Sequence, residues 1–283
     1  MPAPFAENPE FTKLLAKRDD EVDLVRLMLE FAGDAYPALN PRDILAELEQ
    51  LGEQARDEVS HVAADGIAAQ LEAVAALLHD RHAFRGNQDA YYDPRNSYLN
   101  EVLARHLGIP ISLSLLYIAV GRLAGLKVYG VGTPGHFVVG CADAGDAGDA
   151  LYIDPFTDGA VLDFVRCRER IKSVLGPEAE LNRAHFRPAT PLEIAARVLR
   201  NLKAAYAMQN SWAAALPVQR RLTALLPDVL DERRDLGLIY LRNSEPHAAV
   251  QHLEAYVKQA DAESVEAVVP FLRTARRLAA ERN

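Results

Sequence analysis

Cysteine, tryptophan and methionine are scarce in this chain: its 283 residues hold two, one and three of them. Cys141 and Cys167 stand at no metal-ligand spacing, which excludes a zinc framework or a disulfide scaffold and fits a reducing compartment. Both thiols are expected to pack rather than react, since free cysteine is among the most buried residue types. Positive charge is in short supply too. Lys and Arg number 31 against 40 Asp and Glu, for a net charge of -9, so a general nucleic-acid or membrane-surface binder is not expected, because either needs surplus cations. Long apolar runs are missing. The longest, Ile109 to Val120, is interrupted by Pro110, Ser112 and Ser114 and is too short to span a bilayer. The opening MPAPFAENPEF has no basic segment leading into an apolar one, so no secretory signal is read and the expected location is the cytoplasm. No motif calls for a metal or a cofactor.

What is present is the composition of a globular protein, 49% hydrophobic and 25% charged. Apolar residues recur at helical spacing over 8–80, as in Val22, Leu24, Leu27, Leu29 and Phe31, then Ile44, Leu45, Leu48 and Leu51. Asn40-Pro41 reads as a helix entry, with Asp43 near the positive end of the dipole. Residues 82–96 are rich in turn formers and aromatics, and here Tyr91-Tyr92 are expected to form a lid or contact surface. A helix over 97–106 follows, with Gly108 as its left-handed cap. Pro110 then starts an apolar central helix that ends near Ala124, before Gly125. The short segments 128–131, 136–139 and 151–153 read as antiparallel strands. The order, helices and then a small sheet, is α+β. The tract CADAGDAGDA between the last two strands lacks the glutamate and spacing of a calcium loop and reads as a solvated hairpin.

After Pro191 the pattern is purely helical and repeats at 34 residues: Tyr206 with Tyr240, Ala215 with Ala249, Leu216 with Val250, and Leu222 with Tyr256. That is the tetratricopeptide period, in degenerate form, since Lys203 stands opposite Gly237 and Asp261 opposite Pro227. So short an array is expected to pack on the first domain.

Four motifs occur in order: Tyr98-Leu99-Asn100, Gly108-Ile109-Pro110, Pro134-Gly135-His136 and Asp154-Pro155-Phe156. Together they resemble the transglutaminase-like core of the bacterial SirB-type family, whose members commonly carry tetratricopeptide-like helices after it. The core also resembles the middle region of a eukaryotic F-box protein. The resemblance spans essentially the whole chain. It implies a transglutaminase-like domain over 1–185, with its core at 96–165, and an all-α tetratricopeptide-like array over 190–283. The core would be a helical layer with a small antiparallel sheet of the papain and transglutaminase type. It implies no established activity for the family.

In the wider superfamily the resemblance implies a cysteine near the start of the central helix, served by a histidine and an aspartate. This chain has no cysteine there. Ser112 is the best positional match, Ser114 the second, with His136 as base and Asp154 as orienter. The helix dipole contributes only about 0.3 to 1 kcal/mol at an exposed site, too little to ionise an alcohol. A serine at a helix start is also among the commonest capping residues, and a cap is the reading the sequence favours for Ser112. Asn96, Tyr98 and Asn100 are expected to line the cleft. The reading leans away from an enzyme and towards a protein or peptide binder that works through cleft and repeats. The alternative is a serine-dependent amide or ester hydrolase, or an acyl transferase.

Overall fold

The computed structural model describes residues 11, 13, 22–141, 150–176 and 178–282. The chain divides into two compact units, Asp23–Val198 and Met1–Val22 with Leu199–Asn283.

In the first unit, local chemistry sets the helix starts. The Asp23 carboxylate accepts the Arg26 N–H to open α1 (Leu24–Ala35). Asn40 caps α2 (Pro41–His61), with proline in the first turn where its missing N–H costs nothing. α3 (Ile67–Ala75) widens into a π-helical turn over Ala76–Arg81. A two-residue strand β1 (Arg85–Gly86) pairs in parallel with β2 (Leu107–Gly108), enclosing a 3-10 turn at Pro94–Ser97 and the helix α4 (Leu99–Arg105).

The residue expected to cap α4 is not the one that does. His106, at φ 56, takes the left-handed position and returns its N–H to Val102 O, while Gly108 lies in β2. Gly108 is needed for space instead. A Cβ there would lie 2.7 Å from Ser112 Oγ and 2.9 Å from Leu113 Cγ. The His106 ring accounts for the exchange: its Nδ1 lies 2.5 Å from His82 O, and it stacks on Phe84 at 4.4 Å between centroids. These contacts hold a non-glycine residue in a region that otherwise favours glycine.

α5 (Pro110–Leu123) is apolar nearly all round and buried accordingly, packed against α2 and against the sheet. The sheet runs β3 (Val128–Thr133), β4 (His136–Cys141), β5 (Leu151–Ile153) and β6 (Val161–Leu162) in chain order, every pair antiparallel. Every residue of β4 is buried. Val131, Val138 and Tyr152 of the sheet join Phe164, Cys167 and Ile171 of α6 (Phe164–Leu175) in one apolar cluster. The hairpin expected between β4 and β5 falls on 142–149, outside the described residues.

α7 (Pro191–Met208) belongs by its first turns to this unit and by the rest to the other. The second unit continues with α8 (Trp212–Leu225), α9 (Leu230–Arg242), α10 (Pro246–Val257) and α11 (Ala262–Ala280). Trp212 and Pro246, the first residues of α8 and α10, stand 34 positions apart. Ala215 and Ala249 are fully buried, as small residues at helix crossings should be. Gly237 brings α9 against α10 so closely that a Cβ would meet Leu253 Cδ2 at 2.7 Å. Within this unit Glu232 is buried, its carboxylate bonded to Arg200 Nε, Lys203 Nζ and Gln219 Nε2 at 3.0, 2.8 and 3.0 Å.

Candidate functional site

Pro134-Gly135 forms the turn between β3 and β4, with Gly135 at φ 65, and the Thr133 hydroxyl closes it by donating to His136 O at 3.1 Å. His136 is therefore fixed at the start of a strand. Asp154 follows β5, where it caps its own turn: Oδ1 accepts the Phe156 N–H at 3.2 Å and Oδ2 the Thr157 hydroxyl at 2.9 Å. Antiparallel pairing of β4 and β5 brings the two side chains together, His136 Nε2 lying 3.0 Å from Asp154 Oδ2. Both are almost wholly buried.

The two groups stand within contact distance, and among the described residues Nε2 makes no hydrogen bond of acceptable geometry. Burial pushes the Asp154 carboxyl up, but the close imidazole, the Thr157 hydroxyl and the Phe156 N–H outweigh it and hold the group below the usual aspartate range.

Ser112 is placed elsewhere in its bonding. It occupies the third position of α5, 2% exposed, where Oγ accepts the Ile109 N–H at 3.0 Å. Its single proton lies within reach of Asn96 O at 2.5 Å and Ile109 O at 3.1 Å. Ser114 Oγ reaches Phe137 O at 3.4 Å. Among the described residues neither hydroxyl makes a hydrogen bond to His136. The structure thus brings together His136 and Asp154, and commits Ser112 to the helix start.

Asn96 is fully buried and organises the preceding loop. Its Nδ2 donates to Ala90 O at 2.7 Å and Tyr91 O at 3.2 Å, while Oδ1 accepts from Asn87 Nδ2 at 3.0 Å. Tyr98 is buried edge-on against Tyr36. Asn100 Oδ1 is buried without a hydrogen-bond partner among the described residues. The Tyr91-Tyr92 pair is exposed, and Phe156 links it to the histidine: Phe156 stands edge-on to Tyr91 at 6.0 Å and to His136 at 6.4 Å.

Arg197, on α7, completes this surface and carries no sequence signal of its own. Its Nη1 donates to Thr133 O at 2.7 Å and its guanidinium lies over Phe137 at 5.5 Å. Periodicity marks residue 197 only as one more helical position, and the 61 residues separating it from His136 hide the proximity.

Neither cysteine offers a substitute nucleophile in this geometry. Both are buried, and burial together with the charge of Asp154 pushes the Cys167 thiol up to about 12. Among the described residues no three His, Cys, Asp or Glu side chains converge as a metal site requires. A separate open cleft of about 350 Å³ is lined by Glu72, His79 and Asp80 on one side and by Asp158 and Gly159 on the other. The buried Tyr117 hydroxyl, behind Gly159, has no hydrogen-bond partner among the described residues.

Residues 42–200 match the transglutaminase-like superfamily, and residues 202–273 match the tetratricopeptide repeat. A UPF0162 protein of Xylella fastidiosa strain Temecula1 is 36% identical over 254 residues, covering 88% of each chain. One from Vibrio cholerae is 27% identical over 244 residues, 85% of this chain and 88% of its own. F-box only protein 21 of Mus musculus is 37% identical over 102 residues, which is 34% of this chain and 16% of that protein. No solved structure matches at a significant level. A transglutaminase-like region followed by tetratricopeptide repeats, shared along most of their length with the UPF0162 proteins, places this chain in the transglutaminase-like superfamily as a member of that group.

Proposed function

We propose that this protein is a non-catalytic member of its superfamily, a cytoplasmic scaffold that binds another protein or a peptide segment through the His136 edge and the helical repeats. The observation that carries the reading is the Ser112 hydroxyl. It is buried, its one proton is shared between Asn96 O and Ile109 O, and it accepts from Ile109 N–H, so its donor is taken up by backbone carbonyls. A nucleophile needs its proton within reach of a base, and here that proton is directed at backbone carbonyls. The tetratricopeptide match supports protein binding, since stacked helix pairs present extended surfaces to peptides. Among the described residues no helix is long and apolar enough to cross a membrane.

The competing reading, a serine-dependent amide or ester hydrolase or acyl transferase, draws on the buried His136 and Asp154 pair at 3.0 Å. The two separate in one assay. Purified protein is offered activated acyl esters and glutamine-type amides beside the Ser112→Ala variant. Equal, background-level turnover is expected of both, and turnover that Ser112→Ala abolishes would overturn the scaffold reading.

A further inference from the structure

Charges buried in this unit are usually matched, but one is not. Arg197 is half-buried, and among the described residues no carboxylate lies within ion-pair distance of it. Its contacts are the Thr133 carbonyl and the face of Phe137. Thr133 and Phe137 flank the turn that presents His136, so the guanidinium is anchored to the site rather than swinging free of it. Burial pulls this group below the usual arginine range, and the nearby Tyr91 phenol partly offsets that. Tyr91 feels the converse: burial raises it, and the Arg197 charge lowers it.

An arginine carries five N–H donors in a planar fork, and one carbonyl uses a single donor. The fork matches a carboxylate, which can accept two parallel bonds. A half-desolvated guanidinium without a counter-charge gains more from an arriving anion than a hydrated lysine does. The ring of Phe156 stands edge-on to both Tyr91 and His136 and gives this edge an apolar wall.

We propose that Arg197 forms a carboxylate-binding site on the His136 edge that recognises an acidic side chain or a free chain terminus of a bound peptide. This rests on reading that edge as a binding surface. The cation fixes the ligand's charge, the planar fork fixes its geometry, and Phe156 gives the adjoining peptide an apolar wall.

The test follows the Arg197 Nε–H resonance of the full chain while three probes are titrated: acetyl-Ala-Ala with a free terminus, the same peptide amidated, and amidated acetyl-Ala-Glu. Saturable shifts are expected with at least one of the two carboxylate probes and none with the neutral amide. A response to the first alone assigns chain-terminus recognition, and a response to the third assigns the side chain. Arg197→Lys should weaken binding at least fivefold, because the charge stays and the fork is lost. Arg197→Gln should abolish it, with a thermal melt to verify folding. If that variant does not fold, the Lys variant carries the decision. Equal response to acid and amide, or unchanged affinity in folded Arg197→Lys, would overturn the site. Turnover at Ser112 would instead overturn the non-catalytic reading and leave these titrations standing.

Discussion

Asp154 and Glu232 are both buried carboxylates, and they are neutralised in different ways. Glu232, on α9, meets Arg200 and Lys203, two side chains that stay charged throughout the physiological range, and Gln219 donates to its remaining capacity. Asp154 meets two neutral donors and an imidazole, a type of group whose charge depends on pH. In both, burial raises the carboxyl and its partners more than reverse the effect. The difference lies in what is left over. The helical array surrounds its acid with permanent cations and hydrogen bonds, as a structural network does. Among the described residues the sheet leaves its histidine short of one aligned bond, an arrangement that costs stability.

The largest break in that comparison is Glu232→Ala, which removes the carboxylate shared by Arg200, Lys203 and Gln219, leaving Lys203 to Asp235 and Gln219 to the backbone carbonyl of residue 232. A loss of about 3 kcal/mol is expected from removing one member of a buried ion network, measured by urea unfolding at pH 7. Asp154→Asn should cost less, about 2 kcal/mol, because neutral donors rather than fixed cations lose their partner. Its pH dependence carries a sign. The folded-state carboxyl is held below the ordinary aspartate value, so its stabilisation is complete above about pH 4 and is lost as pH falls through the depressed folded value. The gap between wild type and Asp154→Asn should therefore close as pH falls from about 4 towards 2. A gap that widens across that range would contradict the assignment.

Ser112→Ala should cost about 1 kcal/mol, the worth of a helix-start bond, and should raise amide exchange in the loop carrying Tyr91, because Asn96 O loses its donor. The smallest effect belongs to Tyr117→Phe. Its hydroxyl is buried without a partner among the described residues, so stability should stay within about 0.5 kcal/mol of wild type or rise slightly. A loss above about 1 kcal/mol would show that the hydroxyl has a partner after all.

Elements with strong local chemistry were legible in the amino-acid order. Pro110 opens α5, Pro134-Gly135 turns β3 into β4, and the 34-residue step recurs as helix starts in the array. Where tertiary contacts override propensity, the order misleads. His106 holds the left-handed cap because its ring is stacked and bonded, and Gly108 answers to the volume of Ser112, facts that no window of neighbouring residues contains. β6 and the parallel pair of β1 with β2 are two-residue strands, too short to leave an alternating pattern. At the site, the His136 and Asp154 pairing follows from strand order, whereas Arg197 arrives from a helix that periodicity alone does not orient towards the turn.

One bond described above constrains what this protein can become. Ser112 Oγ holds the carbonyl of Asn96, and the Asn96 amide holds the carbonyls of Ala90 and Tyr91, so a single side chain tethers the tyrosine loop to the helix start. A thiol at 112 is a weak donor and would release that tether. Ser112→Cys would thus loosen the loop that carries Tyr91, so the hydroxyl at the helix start sets the order of a segment more than twenty residues upstream of it.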